Sequence, residues 1–271
     1  MGRSAVSAKA QGAADAGAQW PLQYSVAAAR SGALGAGHEA LLAAVLRHQM
    51  ELVNAAEQAQ TQMLEYYTLW VHEIKTPIAA MRLMLQEEDS ARSRELLAQL
   101  FRVEEYVQMV LAYLRMHSES TDFVLQAYDL DKIVRQAVHK YAPMFIRKRI
   151  ILQLEPISGQ VLTDEKWLCF VVEQLLSNAI KYTDTGRVRI YMEADETLVI
   201  QDTGAGIAPE ALPFVFERFY KEDRSRGMNT RGSGLGLHIC KILINLSGGQ
   251  IHAESEEGKW CRFVFTLPVG K

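Results

Sequence analysis

The 271-residue chain holds only three cysteines, Cys169, Cys240 and Cys261, and they lie far apart inside apolar patterns. That spacing offers neither a paired disulfide framework nor a metal-ligand set, so they read as buried thiols in a reducing compartment. Long apolar runs are missing too. The longest uncharged stretch, Ala16 to Ala29, is interrupted by Gln19, Pro21 and Gln23, short of the roughly 18 apolar residues a membrane span requires. Arg3 and Lys9 precede no apolar core of the kind a signal peptide carries. A net charge of −3 removes any global attraction to nucleic acid. The one basic run, Arg147-Lys148-Arg149, reads as a solvated turn. Neither a Gly-x-x-x-x-Gly-Lys-Ser/Thr loop nor the His-Arg-Asp and Asp-Phe-Gly pair occurs, which argues against a P-loop NTPase and a eukaryotic-type protein kinase.

What is present is ordinary globular material. Hydrophobic residues at 49% and charged residues at 23% exclude wholesale disorder and a collagen-like chain. The length predicts two domains. Residues 1–37, rich in Ala, Gly and Ser, read as a flexible segment. From about Glu39 to Gln86 an apolar period runs without a stop signal. With Val53, Gln60, Tyr67, Ile74 and Met81 at heptad position a, position d takes Ala56, Met63, Trp70, Pro77 and Met84, and position e takes Leu64, Val71, Ile78 and Leu85. A stripe three positions wide needs partners on two sides, as in a bundle. A second period, Leu96, Leu100, Val103, Val107, Val110 and Leu114, follows a polar turn at Glu87 to Ser93. The pair predicts a helical hairpin over 38–122, closing as a symmetric dimer into a four-helix bundle.

Beyond Asp122 the pattern changes. Helices are expected near Leu130 to Tyr141, Glu165 to Tyr182 and Leu235 to Leu246. Strands are expected at Ile150 to Leu154, Val188 to Glu193, Leu198 to Gln201, Gln250 to Glu254 and Cys261 to Leu267. Without regular βαβ spacing, these predict an α+β class with a two-layer α/β sandwich over 123–271.

Four elements can carry chemistry. In the first, Trp70 to Pro77, the heptad frame puts His72 at f, away from the stripe and exposed to water or a partner. Thr76 shares its face and Glu73 is adjacent, so a carboxylate can take a proton from one ring nitrogen while the other acts as nucleophile. Pro77 removes a backbone hydrogen bond one turn on and predicts a kink. In the second, Glu173 to Tyr182, Gln174, Asn178 and Lys181 share one helix face. An Asn carbonyl can ligate Mg²⁺ and a Lys can meet phosphates. The third, Asp202-Thr203-Gly204-Ala205-Gly206, follows a strand; its glycines let a ligand approach the backbone and Asp202 can accept from an exocyclic amine. The fourth, Gly232-Ser233-Gly234-Leu235-Gly236, opens a helix whose N–H groups can face an anion. Between these two, Phe216 to Lys221 and the polar run to Arg231 read as an aromatic anchor and a basic lid.

In order and spacing, these motifs resemble the transmitter region of bacterial two-component sensor histidine kinases. His72 to Pro77 is similar to that family's H box, the Asn178 segment to its N box, Asp202 to Gly206 and Gly232 to Gly236 to its two glycine boxes, and Phe216 to Tyr220 to its F box. Tyr66 to Met81 further resembles the intramembrane-sensing subgroup that responds to peptide antibiotics. The resemblance implies a dimerisation and phosphotransfer hairpin followed by a Bergerat (GHKL) ATP-binding domain. It implies that His72 is phosphorylated from Mg·ATP, with Glu73 as its orienting base and Thr76 positioning a water for regulator dephosphorylation. It implies Mg²⁺ at Asn178, phosphates at Lys181, Arg218, Lys221 and the Gly232, Gly234, Leu235, Gly236 backbone, the nucleotide along Tyr182, Gly204 and Gly206, and adenine at Asp202. The implied partners are a second copy of the chain, a response-regulator receiver domain, and an upstream membrane sensor segment or a membrane transporter. No nucleic acid is expected.

The chain is then the cytoplasmic part of an inner-membrane sensor kinase or a soluble relative. Two other readings stand beside it. A catalytically silent dimeric scaffold should have lost at least one of His72, Asn178, Asp202 or the glycine motifs. A same-fold ATPase would need a base for water where the chain has Gln174.

Overall fold

The computed structural model describes residues 32–88, 90–116, 123–194, 196–220 and 233–268, with side chains from residue 38 onward. It divides into two units, Met1–Met63 and Leu64–Lys271. The first unit's described residues are the start of a helix, α1 (Gly32–Gln86), which begins about two turns earlier than the periodicity indicates. Leu41, Leu42, Val45, Leu46, Met50, Leu52 and Val53 all stand exposed along it.

The second unit opens with the rest of α1, which passes through Pro77 and stops at Gln86. Helix α2 (Ala91–Met116) follows. Its start is a reciprocal cap: Ser93 N–H donates to Ser90 Oγ at 3.0 Å and Ser90 N–H to Ser93 Oγ at 3.1 Å. This is the capping-box arrangement with Ser in place of Glu. Val71, Ile74, Val107 and Leu111 cluster between the two helices, and Arg82 pairs with Glu104 across them.

The α/β part runs β1 (Gln126–Asp129), α3 (Leu130–Lys148), β2 (Ile151–Leu154), β3 (Gln160–Thr163), α4 (Glu165–Tyr182), β4 (Arg187–Ala194), β5 (Thr197–Asp202), a 3₁₀ turn (Leu212–Phe214), α5 (Gly236–Leu246), β6 (Gln250–Glu256) and β7 (Trp260–Thr266). The main sheet has the order β2-β4-β5-β7-β6, parallel only at β2/β4; β1 and β3 form a separate antiparallel pair. Val188 and Ile190, Leu198 and Ile200, and Cys261, Phe263 and Phe265 alternate along their strands into one core with Val134, Ala137, Val171, Leu175, Ile239 and Leu243 of the helices. The opposite sheet face holds the buried Val199 and Val264 together with an ion-pair group in which Arg262 bridges Glu254 and Glu193. Period-2 strands half covered by helices make the two-layer α+β sandwich read from the sequence.

Caps set the helix ends. Asp129 accepts from Asp131 N–H, and Asp164 from the N–H groups of Lys166 and Trp167. Arg149 closes α3 in the left-handed region at φ 56°. The basic run is only in part a solvated turn: Arg149 is an exposed helix terminator, Arg147 is exposed and pairs with Glu95 of α2 at 3.2 Å, and Lys148 is turned inward. Strands β1 and β3 lack the apolar alternation that marks the others: Gln126–Asp129 has no buried position, and the buried positions of β3 are Val161 and the polar Thr163. All three cysteines are buried. Among the described residues no helix is long and apolar enough to cross a membrane.

Candidate functional site

Three backbone pieces meet around Asp202, the last residue of β5. The residue is 3% exposed. Oδ1 accepts from Gly204 N–H at 2.9 Å and faces Thr183 Oγ1 at 3.5 Å. Burial pushes the carboxyl up to about 6, against the lowering effect of those two donors. Such a group is an acceptor held in place by its neighbours and stripped of water.

The turn after Asp202 is fitted backbone to backbone. Ala205 N–H donates to Tyr182 O at 3.0 Å, and Gly258 N–H to Ala205 O at 2.7 Å. A Cβ on Gly204 would collide with the Tyr182 carbonyl, and one on Gly206, at φ +65°, with the Glu256 carbonyl. The glycines are demanded by packing against α4 and the β6–β7 hairpin, whatever space they also leave for a ligand. Ile207 N–H is held by Ser255 Oγ at 2.8 Å.

On α4, Gln174 does not share the exposure of its helix-face neighbours: it is buried at 6%, with Oε1 2.6 Å from where a Cβ on Gly236 would lie. Asn178 is half-buried, Lys181 likewise, and Tyr182 is exposed at the helix end. Lys181 Nζ lies 4.6 Å from the Tyr182 ring centroid and 3.0 Å from its hydroxyl. Facing them, α5 starts at Gly236 with no side-chain cap, so its first N–H groups lack intrahelical partners. Gly234 holds φ +73°, and its carbonyl accepts from Phe219 N–H at 2.9 Å. A Cβ there would stand 2.8 Å from the Phe219 backbone. Leu235 N–H is held by Ser233 Oγ at 3.2 Å. Phe216 is buried and its carbonyl meets His238 Nδ1 at 3.1 Å, which ties the aromatic anchor to α5.

Arg218 is directed elsewhere. Its guanidinium stacks on Tyr113 of α2 at 5.1 Å and on Phe219 at 4.6 Å. Lys221 and Gly232 lie outside the described residues. His72, Glu73 and Thr76 are exposed on α1, as the heptad frame predicts. The Thr76 hydroxyl donates to the His72 backbone carbonyl at 3.4 Å rather than to the ring. The fold thus sets Asp202, Gly204 and Gly206 against Tyr182 at the C-terminal end of α4 and the start of α5, at Gly236, against Gln174 of the same helix, with Asn178 and Lys181 between them along α4. Among the described residues no hydrogen bond or ion pair joins them to the His72 group.

Some residues at this site escape a motif reading: Thr183, Ser255, His238, and Met109 of α2, whose Cε would lie 3.7 Å from a Cβ on Gly236. Only Thr183, adjoining the Asn178 helix as its C-cap, carried a local signal.

A family model described as histidine kinase-, DNA gyrase B-, and HSP90-like ATPase matches residues 163–271. The chain is similar to the sensor histidine kinase YxdK of Bacillus subtilis, 26% identical over 229 residues that cover 82% of this chain and 70% of that protein. It is similar to the sensor protein BceS of Halalkalibacterium halodurans, 30% identical over 230 residues, covering 80% of this chain and 66% of that protein. The chain spans about two thirds of the length of these curated relatives. Among solved structures, full-length ShkA in complex with AMPPNP aligns at a TM-score of 0.56 and 26% identity, over 76% of this chain and 46% of that one.

Proposed function

The chain belongs to the bacterial two-component sensor histidine kinases, with an ATP-binding domain in its C-terminal part, and from that premise we propose that His72 is the residue it phosphorylates with ATP. One observation carries the reading: a buried, hydrogen-bonded carboxyl, Asp202, sits between the first glycine turn and the C-terminal end of the Asn178 helix, and the uncapped start of α5 lies against Gln174 of that same helix. Asp202 accepts from the adenine amine, and Tyr182 lines the nucleotide beside Gly204 and Gly206. Lys181 and the N–H groups from Gly234 to Gly236 meet the phosphates. Lys221 and Gly232 belong to the same phosphate end, and Arg218 reaches it on leaving Tyr113.

Among the described residues no group of three His, Cys, Asp or Glu side chains gathers as a metal site. The half-buried Asn178 would hold Mg²⁺ through its amide oxygen, a hard, neutral donor of the kind that ion takes. Bound there, the ion supplies neutralising charge to the phosphates.

In the phosphorylation step an imidazole nitrogen of His72 attacks the γ-phosphorus. The bond to the β–γ bridging oxygen breaks and ADP leaves, while Glu73 orients the ring and takes its other proton. The phosphoryl group then passes to an aspartate of a response-regulator receiver domain. Thr76 positions a water for hydrolysis of the regulator's phosphoaspartate, which releases inorganic phosphate. The active form is a homodimer, supported by apolar heptad residues left exposed on both hairpin helices. The input comes from a membrane sensor segment or transporter, a reading that rests on the family.

The test is incubation with γ-labelled ATP and Mg²⁺, quenched in alkali, beside His72→Gln and Asn178→Asp. Label that survives base, is lost in acid and vanishes in both variants supports the reading. Retention of label in His72→Gln would defeat it. Absence of label with ATP binding intact would favour a silent scaffold.

A further inference from the structure

The last four carbonyls of a helix have no intrahelical donor, and each needs a partner from elsewhere. At the C-terminus of α4 every one has a donor. Thr183 N–H takes Ala179 O at 3.1 Å, and Ala205 N–H, from the first glycine turn, takes Tyr182 O at 3.0 Å. The rest fall to one side chain. Lys148 Nζ lies 2.7 Å from Ile180 O, 3.4 Å from Lys181 O and 3.0 Å from Thr183 O, with Asp184 Oδ1 at 3.7 Å. A single ammonium thus grips the carbonyls on either side of the one that the glycine turn uses. It stands at the negative end of the helix dipole, where a cation is favoured.

The residues so held are the ones around Asp202. Thr183 carries the hydroxyl facing Asp202 Oδ1, and the Tyr182 carbonyl is the surface against which Gly204 is seated. Gly204 in turn supplies the shorter of the two donors to that oxygen. Lys148 touches none of the residues assigned to the phosphates through their side chains; its one contact with Lys181 is to the backbone oxygen.

We propose that Lys148 is a positioning residue for the base end of the nucleotide site, holding the turn from Ile180 to Thr183 so that Thr183 and Gly204 keep the Asp202 carboxyl aimed at the adenine amine. The assignment rests on the reading of Asp202 as the adenine acceptor. Lysine suits the task because three N–H groups on one nitrogen can meet three carbonyls that do not lie in a plane, whereas the N–H groups of a guanidinium are fixed in one plane. Lys148→Arg should therefore restore the function in part.

The readout is the ratio of the dissociation constants for GTP and ATP, measured on the whole chain by calorimetry with Mg²⁺ present. A general loss of folded protein leaves that ratio unchanged. Lys148→Met is expected to lower the ratio by about fivefold, the size of one net hydrogen bond lost from the base contact, through weaker ATP binding. Lys148→Arg is expected to fall between the two. A Lys148→Met chain that folds and keeps the ratio, or that loses ATP and GTP affinity alike, overturns the proposal. Should Lys148→Met fail to fold, Thr183→Val carries the test, since it cuts the same connection one residue on; an unchanged ratio there overturns the proposal too. A parent chain with no preference for ATP, or one whose preference survives Asp202→Ala, defeats instead the underlying reading of Asp202.

Discussion

Asp202 ties stability and binding to pH in opposite directions. Its carboxyl titrates near 6 in the folded chain against 3.8 for the free group, because burial outweighs the donors from Gly204 and Thr183. A folded value above the unfolded one means a contribution to stability that is complete below 3.8 and lost as the pH rises through 6. The ligand asks for the reverse, since only the ionised form offers every lone pair to an amine. ATP affinity should therefore fall as the pH drops through 6, by about fourfold at pH 5.5 if only the ionised fraction binds. Asp202→Asn should bind weakly with no such slope; calorimetry across pH 7.5 to 5.5 decides, and a flat parent profile would remove Asp202 from the base contact. Gly204→Ala is the neighbouring test. Its Cβ meets the Tyr182 carbonyl, backbone that cannot swing aside, so a loss of about 1–3 kcal/mol in thermal unfolding is expected. The identity of these residues was legible from the Asp-x-Gly-x-Gly order after a strand. The reason for the glycines was not, because their collision partners, Tyr182 and Glu256, are brought there by the fold.

At the scale of elements, α2 is shared between two packings. Towards α1 it offers Val107 and Leu111. Towards the α/β part it offers Phe101, edge-on to Tyr141 at 5.2 Å, and Glu105, which accepts from the Tyr141 hydroxyl at 2.7 Å. Burial and the Glu105 charge push the Tyr141 phenol far up, so it stays a donor at any working pH. Tyr141→Phe would leave the half-buried Glu105 carboxylate without this donor. The expected loss is about 1–2 kcal/mol, read as a lower unfolding midpoint; an unchanged midpoint would show that the contact contributes nothing. The seven-residue period of α2 was visible in the sequence, as were the five main strands and the three helices behind them. The second face of α2 was not, since Phe101, Glu105 and Met109 break no apolar pattern and gain meaning only beside Tyr141 and Gly236. Likewise β1 and β3 are created by pairing with each other, from Gln126↔Thr163 to Asp129↔Gln160, rather than by alternation within either.

For the whole molecule, the three-wide stripe of α1 now separates into two halves. Val71 and Ile78 of position e are buried and Ile74 of position a packs with Val107 and Leu111, while Trp70, Met81 and Met84 of positions a and d stay 39%, 46% and 71% exposed. Helix α2 divides the same way: Leu100 and Val107 are buried, and Leu96, Val103 and Val110, one heptad apart from each other, are exposed at 44%, 44% and 38%. A single chain therefore satisfies one seam of each helix and leaves another open on both. Two heptad-spaced apolar rows on an antiparallel pair are what a second identical hairpin covers in a four-helix bundle. Charge placed in the open row should disrupt assembly without touching the nucleotide site. Val103→Glu with Val110→Glu is expected to convert a dimer into a monomer by sedimentation velocity, with ATP affinity unchanged within about twofold, because surface changes away from the site act weakly on it. Glutamates in the buried row instead, at Leu100 and Val107, should unfold the hairpin itself. A parent chain that sediments as a monomer at micromolar concentration would refute the bundle, and a double variant that stays dimeric would move the interface to a different face.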